Sequence, residues 1–290
     1  MLLMGVSLQN SLLISLLAGK LDAETGSITT ASATSLRSLR ELRLGKPIQL
    51  CIKEFRRNPM IVLYSYPQLF GVADNNGYGL KVFAFMRLAA LPFTHEHIFD
   101  ASAAPRGQLP YIVDDGAAIG DSETIIAHLT KKYRLTIDAA LTKAQRDTTH
   151  LITRMLDDLY WVMSYSRWKD ERYWSAFRDA LMREHPSVTE AGLRKAQGYN
   201  FQRYYFAGIG RYAPDDAYAR GLVDLRVLAD VIPADGYVHG PKPTSIDAGI
   251  YGFLANIYFY DIDTPLKQFV TAQPNLVRHC RAIHEAVMKS

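Results

Sequence analysis

The sequence predicts an α/β domain followed by an all-helical domain. Three observations carry this: residues 60 to 135 read as βαβ then ββα, strand patterns vanish beyond Leu141, and a helix near the C-terminus is apolar on nearly every face.

Each element follows from local chemistry. Ile61-Val62-Leu63-Tyr64 is a β-branched and aromatic run and opens a strand over 61–66, which a long loop connects to a helix over about 78–90. A second strand covers 93–99, and a Pro-containing loop then leads to a hairpin. In that hairpin Tyr111-Ile112-Val113 and Ala117-Ala118-Ile119 flank Asp114-Asp115-Gly116, whose Asp-Gly pair supplies the positive φ that tight turns require. Asp121-Ser122 starts the next helix, which runs through Ile125, Ile126 and Leu129 to about Tyr133. In the helical part, Ile152, Met155, Leu156, Leu159, Val162 and Met163 share one face at 3.6-residue spacing. Arg154, Asp158, Trp161, Tyr165 and Trp168 form a second stripe on the same predicted helix, free to meet something other than its own core. In Pro243-Thr244-Ser245-Ile246-Asp247, Thr244 can cap a helix while Asp247 reaches back to the N–H of the cap. The helix that follows is apolar nearly all round, so it belongs at the buried centre of its domain.

Composition narrows the function classes. The chain has 290 residues, 48% hydrophobic and 21% charged, enough for two modest cores in a soluble protein. Lys+Arg 33 against Asp+Glu 29 is a small excess spread along the chain, which argues against a nucleic-acid partner. The two cysteines, Cys51 and Cys280, form neither a CxxC nor a metal-ligand spacing, which suits a reducing, cytoplasmic setting and implies no metal. The apolar stretch Ser11 to Gly19 is too short to span a bilayer and has no basic residues ahead of it, so neither a membrane anchor nor export is expected. Residues 1–59, rich in Ser, Thr and Ala over 26–35, read as a poorly ordered extension, with Met60 a candidate native start. The domains are then 60–135 and 141–290.

The run Arg106-Gly107-Gln108-Leu109-Pro110-Tyr111-Ile112, the Asp121-Ser122 helix start and the Thr244-x-x-Asp247 cap, in this order and at these separations, resemble cytosolic glutathione transferases. The likeness is to the branch related to failed axon connections proteins and metaxins. Phe70-Gly71 in the first loop, Leu80-Lys81 on the first helix, Leu159 to Trp161 and Tyr165 to Trp168 carry it, over residues 60 to 285. The resemblance implies a thioredoxin-like N-terminal domain, a transferase-type helical domain, and glutathione as co-substrate. Relatives of this fold often dimerise, so a homodimer is expected.

The resemblance also implies a site. Pro110 would be a cis-proline that turns the backbone of Leu109, beside Gln108, outward to pair with the cysteinyl part of glutathione. Asp121 and Ser122 would hold the γ-glutamyl end, the Ser122 hydroxyl and helix N–H groups meeting its carboxylate and Asp121 its ammonium. Where this branch carries a catalytic Ser or Cys, this chain has Asn76, which cannot act as a nucleophile. Its amide N–H can help hold a thiolate, or Asn76 can simply cap the helix; Tyr66 and Tyr78 are alternative donors. Tyr160, Trp161, Tyr165 and Trp168 are the candidates for an apolar electrophile pocket, or for packing against a neighbour. Two readings follow: an enzyme that conjugates or reduces an electrophile with glutathione, and a non-catalytic binding or adaptor protein on the same scaffold.

Overall fold

The computed structural model describes residues 61–289, so the extension expected over 1–59 and the start at Met60 lie outside the described residues. The first domain is a four-stranded sheet with two helices. Its elements are β1 (Ile61–Ser65), α1 (Gly77–Leu88), β2 (Phe93–His97), β3 (Tyr111–Asp114), β4 (Ala117–Gly120) and α2 (Ser122–Lys132). The order is β2-β1-β3-β4, with β1 parallel to β2 and antiparallel to β3, and β3 antiparallel to β4: a thioredoxin-like sheet. The hairpin turn is the pair Asp115 (φ 51°) and Gly116 (φ 82°), both left-handed as a two-residue loop demands. Asp114, at its base, is buried and accepts from His128 (2.7 Å), Lys132 (2.7 Å) and Tyr133 (2.6 Å), which ties α2 to the hairpin. Burial alone would raise its pKa, but these donors hold the carboxyl below the usual range.

The first helix ends at Leu88, two residues short of the sequence expectation, because Ala90 turns into the left-handed region (φ 52°) just before Leu91-Pro92. From Gly79 to Met86 the helix is buried on every side, sharing an apolar cluster with Ile61, Leu63 and Ile112 of the sheet.

The second domain is helical throughout: α3 (Lys143–Met163), α4 (Tyr165–Trp168), α5 (Glu171–Glu184), α6 (Glu190–Phe206), a 3-10 turn at Ile209–Arg211, α7 (Pro214–Val231), α8 (Ser245–Tyr258), α9 (Pro265–Thr271) and α10 (Pro274–Met288). Three of these helices start on a proline, whose fixed φ suits the first turn. The apolar face of α3 buries Ile152, Leu156, Leu159, Val162 and Met163.

One expectation is corrected here. Tyr165 and Trp168 do not extend the outer stripe of α3, because that helix stops at Met163. Ser164 folds its hydroxyl back onto the Tyr160 carbonyl (2.7 Å) and meets the Tyr204 hydroxyl (2.6 Å), and the chain restarts as the single turn α4.

At the centre lies α8, buried from Ile246 to Ile257 and packed against α1, α3, α9 and α10. Asp247 is 0% exposed and accepts from Thr244 N (2.8 Å), Thr244 Oγ1 (2.9 Å), Val238 N (3.1 Å) and His279 Nε2 (2.9 Å). One carboxylate therefore caps the helix, fixes the preceding loop and anchors α10. Contact with α1 is so close that a Cβ on Gly252 would lie 2.4 Å from the Gly77 carbonyl oxygen and 2.8 Å from the Lys81 nitrogen. Both are backbone atoms, so neither can swing aside.

Two outcomes are expected. Gly252→Ala should force the helices apart and destabilise by at least about 1–3 kcal/mol, lowering the thermal midpoint by several degrees; an unchanged midpoint would contradict the contact. Asp247→Asn should cost about 3 kcal/mol at pH 7 by breaking a buried charged hydrogen-bond set. Burial opposes ionisation of Asp247, but His279 and the backbone donors depress its pKa, so its stabilising contribution is present at neutral pH and lost on acidification. The gap between wild type and Asp247→Asn should accordingly narrow in denaturant titrations taken from pH 7 to about pH 3.

Candidate functional site

The strand register brings the candidate residues to one end of the sheet. Tyr64 of β1 pairs with Tyr111 of β3, which pairs with Gly120 of β4. The exit of β1 (Ser65, Tyr66), the entry to β3 (Leu109-Pro110) and the exit of β4 (Asp121) therefore share an edge. The Leu109–Pro110 bond is cis. Asp121 has φ 78° and ψ 124°, a conformation that non-glycine residues adopt rarely, and caps α2 by accepting from Thr124 N (3.0 Å) and Thr124 Oγ1 (2.9 Å). Its other oxygen faces Arg106 at 3.7 Å. Ser122 is buried beside it, and Gln108 is exposed. The buried Lys81 of α1 reaches across to an ion pair with Glu123, joining the first turn of α2 to α1.

A cavity of about 650 Å³ opens between this sheet edge and the helical domain. Asn76 and Tyr66 line it from the first domain, and Tyr160, Trp168 and Arg203 from the second. Gly107 also reaches it, whereas Gln108, Leu109, Pro110, Asp121 and Ser122 do not form its walls.

Asn76 is the N-cap of α1: its Oδ1 accepts from Tyr78 N (3.0 Å) and its Nδ2 points to the Tyr160 hydroxyl (3.4 Å). The capping role and a donor aimed at the cavity thus coexist in one side chain. Tyr66 is pushed up to about 12 by burial, then by Tyr160 and Asp74, so it keeps its phenolic proton at neutral pH. Tyr78 is placed elsewhere. Its hydroxyl donates to Asp157 Oδ1 (3.2 Å) and its ring meets Tyr160 and Phe253, so it does not line the cavity.

Two of the four candidate electrophile-pocket residues also depart from expectation. Because α3 breaks at Ser164, Tyr165 is turned into the core, 1% exposed, edge-to-face with Tyr204 and Tyr218 and donating to the Tyr212 carbonyl (3.2 Å). Trp161 lies on the far flank of α3, where it lines a second cavity of about 380 Å³ with Asp158, Tyr212, Arg220 and Asp224. Tyr160 and Trp168 remain at the main cavity.

Sequence reasoning missed the polar seam beneath the site. Asp74 is 0% exposed; its Oδ1 accepts from Asn76 N (2.7 Å), its carbonyl accepts from Asn256 Nδ2 (3.2 Å), and its Oδ2 is sealed against Gly79. A Cβ on Gly79 would stand 1.6 Å from that oxygen, so the position must be glycine. Arg167, also buried, donates to the Asn75 carbonyl and to Asn256 O (2.9 Å) and Oδ1 (3.0 Å), with its guanidinium over the Tyr260 ring (4.9 Å). Burial pushes Asp74 up to about 8, while Ser65, the Asn76 N–H and Arg167 pull the other way. The available signal was an arginine between the aromatic residues Tyr165 and Trp168, where a guanidinium can stack on rings and bond to carbonyls at once.

Among the described residues no cluster of His, Cys, Asp and Glu could hold a metal ion, and no helix is long and apolar enough to cross a membrane.

With this geometry in place, comparison with known proteins is informative. Residues 78–173 match the family model of the glutathione S-transferase N-terminal domain, and residues 221–283 that of the C-terminal domain. An isoprene-epoxide–glutathione S-transferase of Rhodococcus sp. (strain AD45) is 29% identical over 239 residues, covering 78% of this chain and 98% of the relative. The failed axon connections protein of Drosophila melanogaster is 27% identical over 241 residues, covering 76% of this chain and 56% of its own length. Among solved structures, apo glutathione S-transferase III superposes with a TM-score of 0.52 at 16% identity, covering 79% of this chain and 94% of that one. This last likeness concerns the fold alone.

One outcome tests the polar seam. A carboxyl whose pKa is raised on folding favours the folded state less and less as pH rises from its unfolded value to its folded one. Wild type should therefore lose stability relative to Asp74→Asn between about pH 4 and pH 8. A difference in thermal midpoint that stays flat across this range would show that Asp74 is not displaced upward.

Proposed function

Because the chain belongs to the glutathione S-transferase superfamily, we propose that it binds glutathione along the Leu109–Asp121 edge and transfers it to an electrophile in the 650 Å³ cavity. The observation that carries this reading is the convergence at one sheet edge of a cis Leu109–Pro110, the Asp121-Ser122 helix start and the donors Asn76 and Tyr66. Glutathione laid as an added strand along Leu109 would place its γ-glutamyl carboxylate at the N–H groups of α2 and its sulfur toward Asn76. The relative that acts on isoprene epoxide makes an epoxide the first electrophile to try.

In such a reaction the glutathione thiolate attacks an epoxide carbon, the C–O bond breaks toward oxygen, and the alkoxide takes up a proton. Asn76 Nδ2 and the N-terminus of α1 favour the thiolate over the thiol. Tyr66, still protonated because burial holds its phenol up, is placed to donate to the sulfur or to the opening oxygen. Holding thiolate and electrophile together in a closed cavity supplies the rest. A non-catalytic binding or adaptor protein is the second reading, favoured by one observation: the residue at the head of α1 is Asn76, a helix cap that cannot act as a nucleophile.

Calorimetric titration of the full chain with glutathione tests the first step. Saturable binding is expected, about tenfold weaker in Ser122→Ala, the loss of one hydrogen bond to a charged group. With isoprene-type epoxides, Tyr66→Phe should lower kcat at least tenfold while leaving glutathione affinity within a factor of two. Binding without turnover would favour the second reading, and absence of any glutathione binding would sink the first and leave the second only as an adaptor for protein partners.

A further inference from the structure

Two arginines line the main cavity, and they differ in what they hold. Arg167 is buried and committed, its donors divided between the Asn75 carbonyl and Asn256. Arg203, on the inner side of α6, has one hydrogen bond, from NH1 to Asn200 Oδ1 (3.2 Å). It has no acidic partner among the described residues, whereas Arg154, Arg172, Arg178 and Arg194 each have one. Its guanidinium is nonetheless held in place, 5.3 Å from the ring centre of Trp161 and 5.8 Å from that of Tyr199. The single carboxylate on the cavity wall, Asp100, is bonded to Ser102 N and Ser102 Oγ, both at 2.8 Å. Apolar side chains, among them Trp168, Phe177, Leu181 and Leu193, make up much of the remaining wall.

A held guanidinium with free N–H groups, facing a cavity whose wall sets the apolar side chains of Trp168, Phe177, Leu181 and Leu193 beside neutral polar groups, matches the planar pair of oxygens on a carboxylate. We propose that Arg203, with Asn200 beside it, is the subsite for a carboxylate on the second substrate, which is therefore an apolar body carrying one anionic group. This rests on the glutathione-transfer reading and narrows its substrate class from apolar electrophiles to amphiphilic ones. Arg203 also acts electrostatically on the Tyr66 phenol, so a carboxylate bound there is within reach of the groups that serve the sulfur. The apolar wall takes the hydrocarbon part, and the guanidinium sets which end of the molecule points toward Asn76.

The test uses trans-cinnamate and its neutral isostere cinnamamide, titrated calorimetrically into the full chain, with glutathione titrated separately, for wild type, Arg203→Gln and Arg203→Lys. Wild type should bind cinnamate about ten- to hundredfold more tightly than cinnamamide, the scale of a charge-assisted hydrogen-bond pair. The preference should vanish in Arg203→Gln and survive only in part in Arg203→Lys, which keeps the charge but not the planar fork, with cinnamamide affinity unchanged throughout as the sign of an intact cavity. Glutathione affinity should be the same in all three proteins. Equal binding of the two probes by wild type, no binding of cinnamate at millimolar concentration, or a preference that persists in Arg203→Gln would each overturn the proposal. So would a selective loss of glutathione affinity in Arg203→Gln, which would assign the arginine to a carboxylate of glutathione itself. An Arg203-dependent preference for cinnamate in a protein that fails to bind glutathione would uphold the anion subsite and remove the transfer reading.

Discussion

The backbone-to-backbone approach of α8 and α1 at Gly252 and Gly77 governs what else the described chain can do. A helix buried all round can sit in the core only if its neighbours come close enough to leave no gap, and α8 achieves this toward the first domain by having no side chain where α1 passes. Once the helices are in register, Asn256 reaches the carbonyl of Asp74, and Arg167 bridges the next loop carbonyl to the same helix. The loop before α1, which carries Asn76, is thus held from the helical domain as well as from its own sheet. A fold family is often described as two domains side by side, but here the candidate sulfur-facing residues have their conformation set by both.

Much of the framework could be read from the residues because local and global signals agree. The strand runs, the Asp-Gly hairpin, the α2 start and the all-apolar α8 each have one stable interpretation, and the structure places them in a thioredoxin-like sheet followed by helices. The site was less legible, for two physical reasons. Periodicity assumes that a helix continues, and nothing in the spacing of Trp161, Tyr165 and Trp168 reveals that Ser164 will prefer the Tyr160 carbonyl and end the turn. Arg167, Asp74 and Arg203 were invisible for a different reason: their roles depend on which carbonyls and rings surround them after folding. The α6 helix adds to this, since its aromatic residues Tyr199, Phe201, Tyr204, Tyr205 and Phe206 are spread around the axis and show no apolar face.

The electrostatics of the site divide into a closed part and an open part. Asp74, Arg167, Asn256 and the loop carbonyls form a buried network in which bonds offset part of the cost of burial, while Asp74 Oδ2 and Arg167 Nε have no partner among the described residues. Facing the cavity are groups that keep capacity in reserve: the amide of Asn76, the phenols of Tyr66 and Tyr160, and the guanidinium of Arg203. The closed part supplies rigidity, and the open part presents polar groups to whatever enters the cavity.

The outer wall of the cavity has a different history written into it. The α6 segment is joined to the rest through rings and guanidinium groups at its surface, Arg203 on Trp161 and Arg211 on Tyr205, more than through a buried apolar stripe; only Leu193, Gln197 and Tyr204 of that helix are buried. Mutations along it therefore exchange one surface stack for another without opening a void in the core. The outline of the cavity can thus change on this side while the sheet edge and the α1–α8 seam stay as they are, so the shape of the space and the rigidity of its floor are set by different parts of the chain.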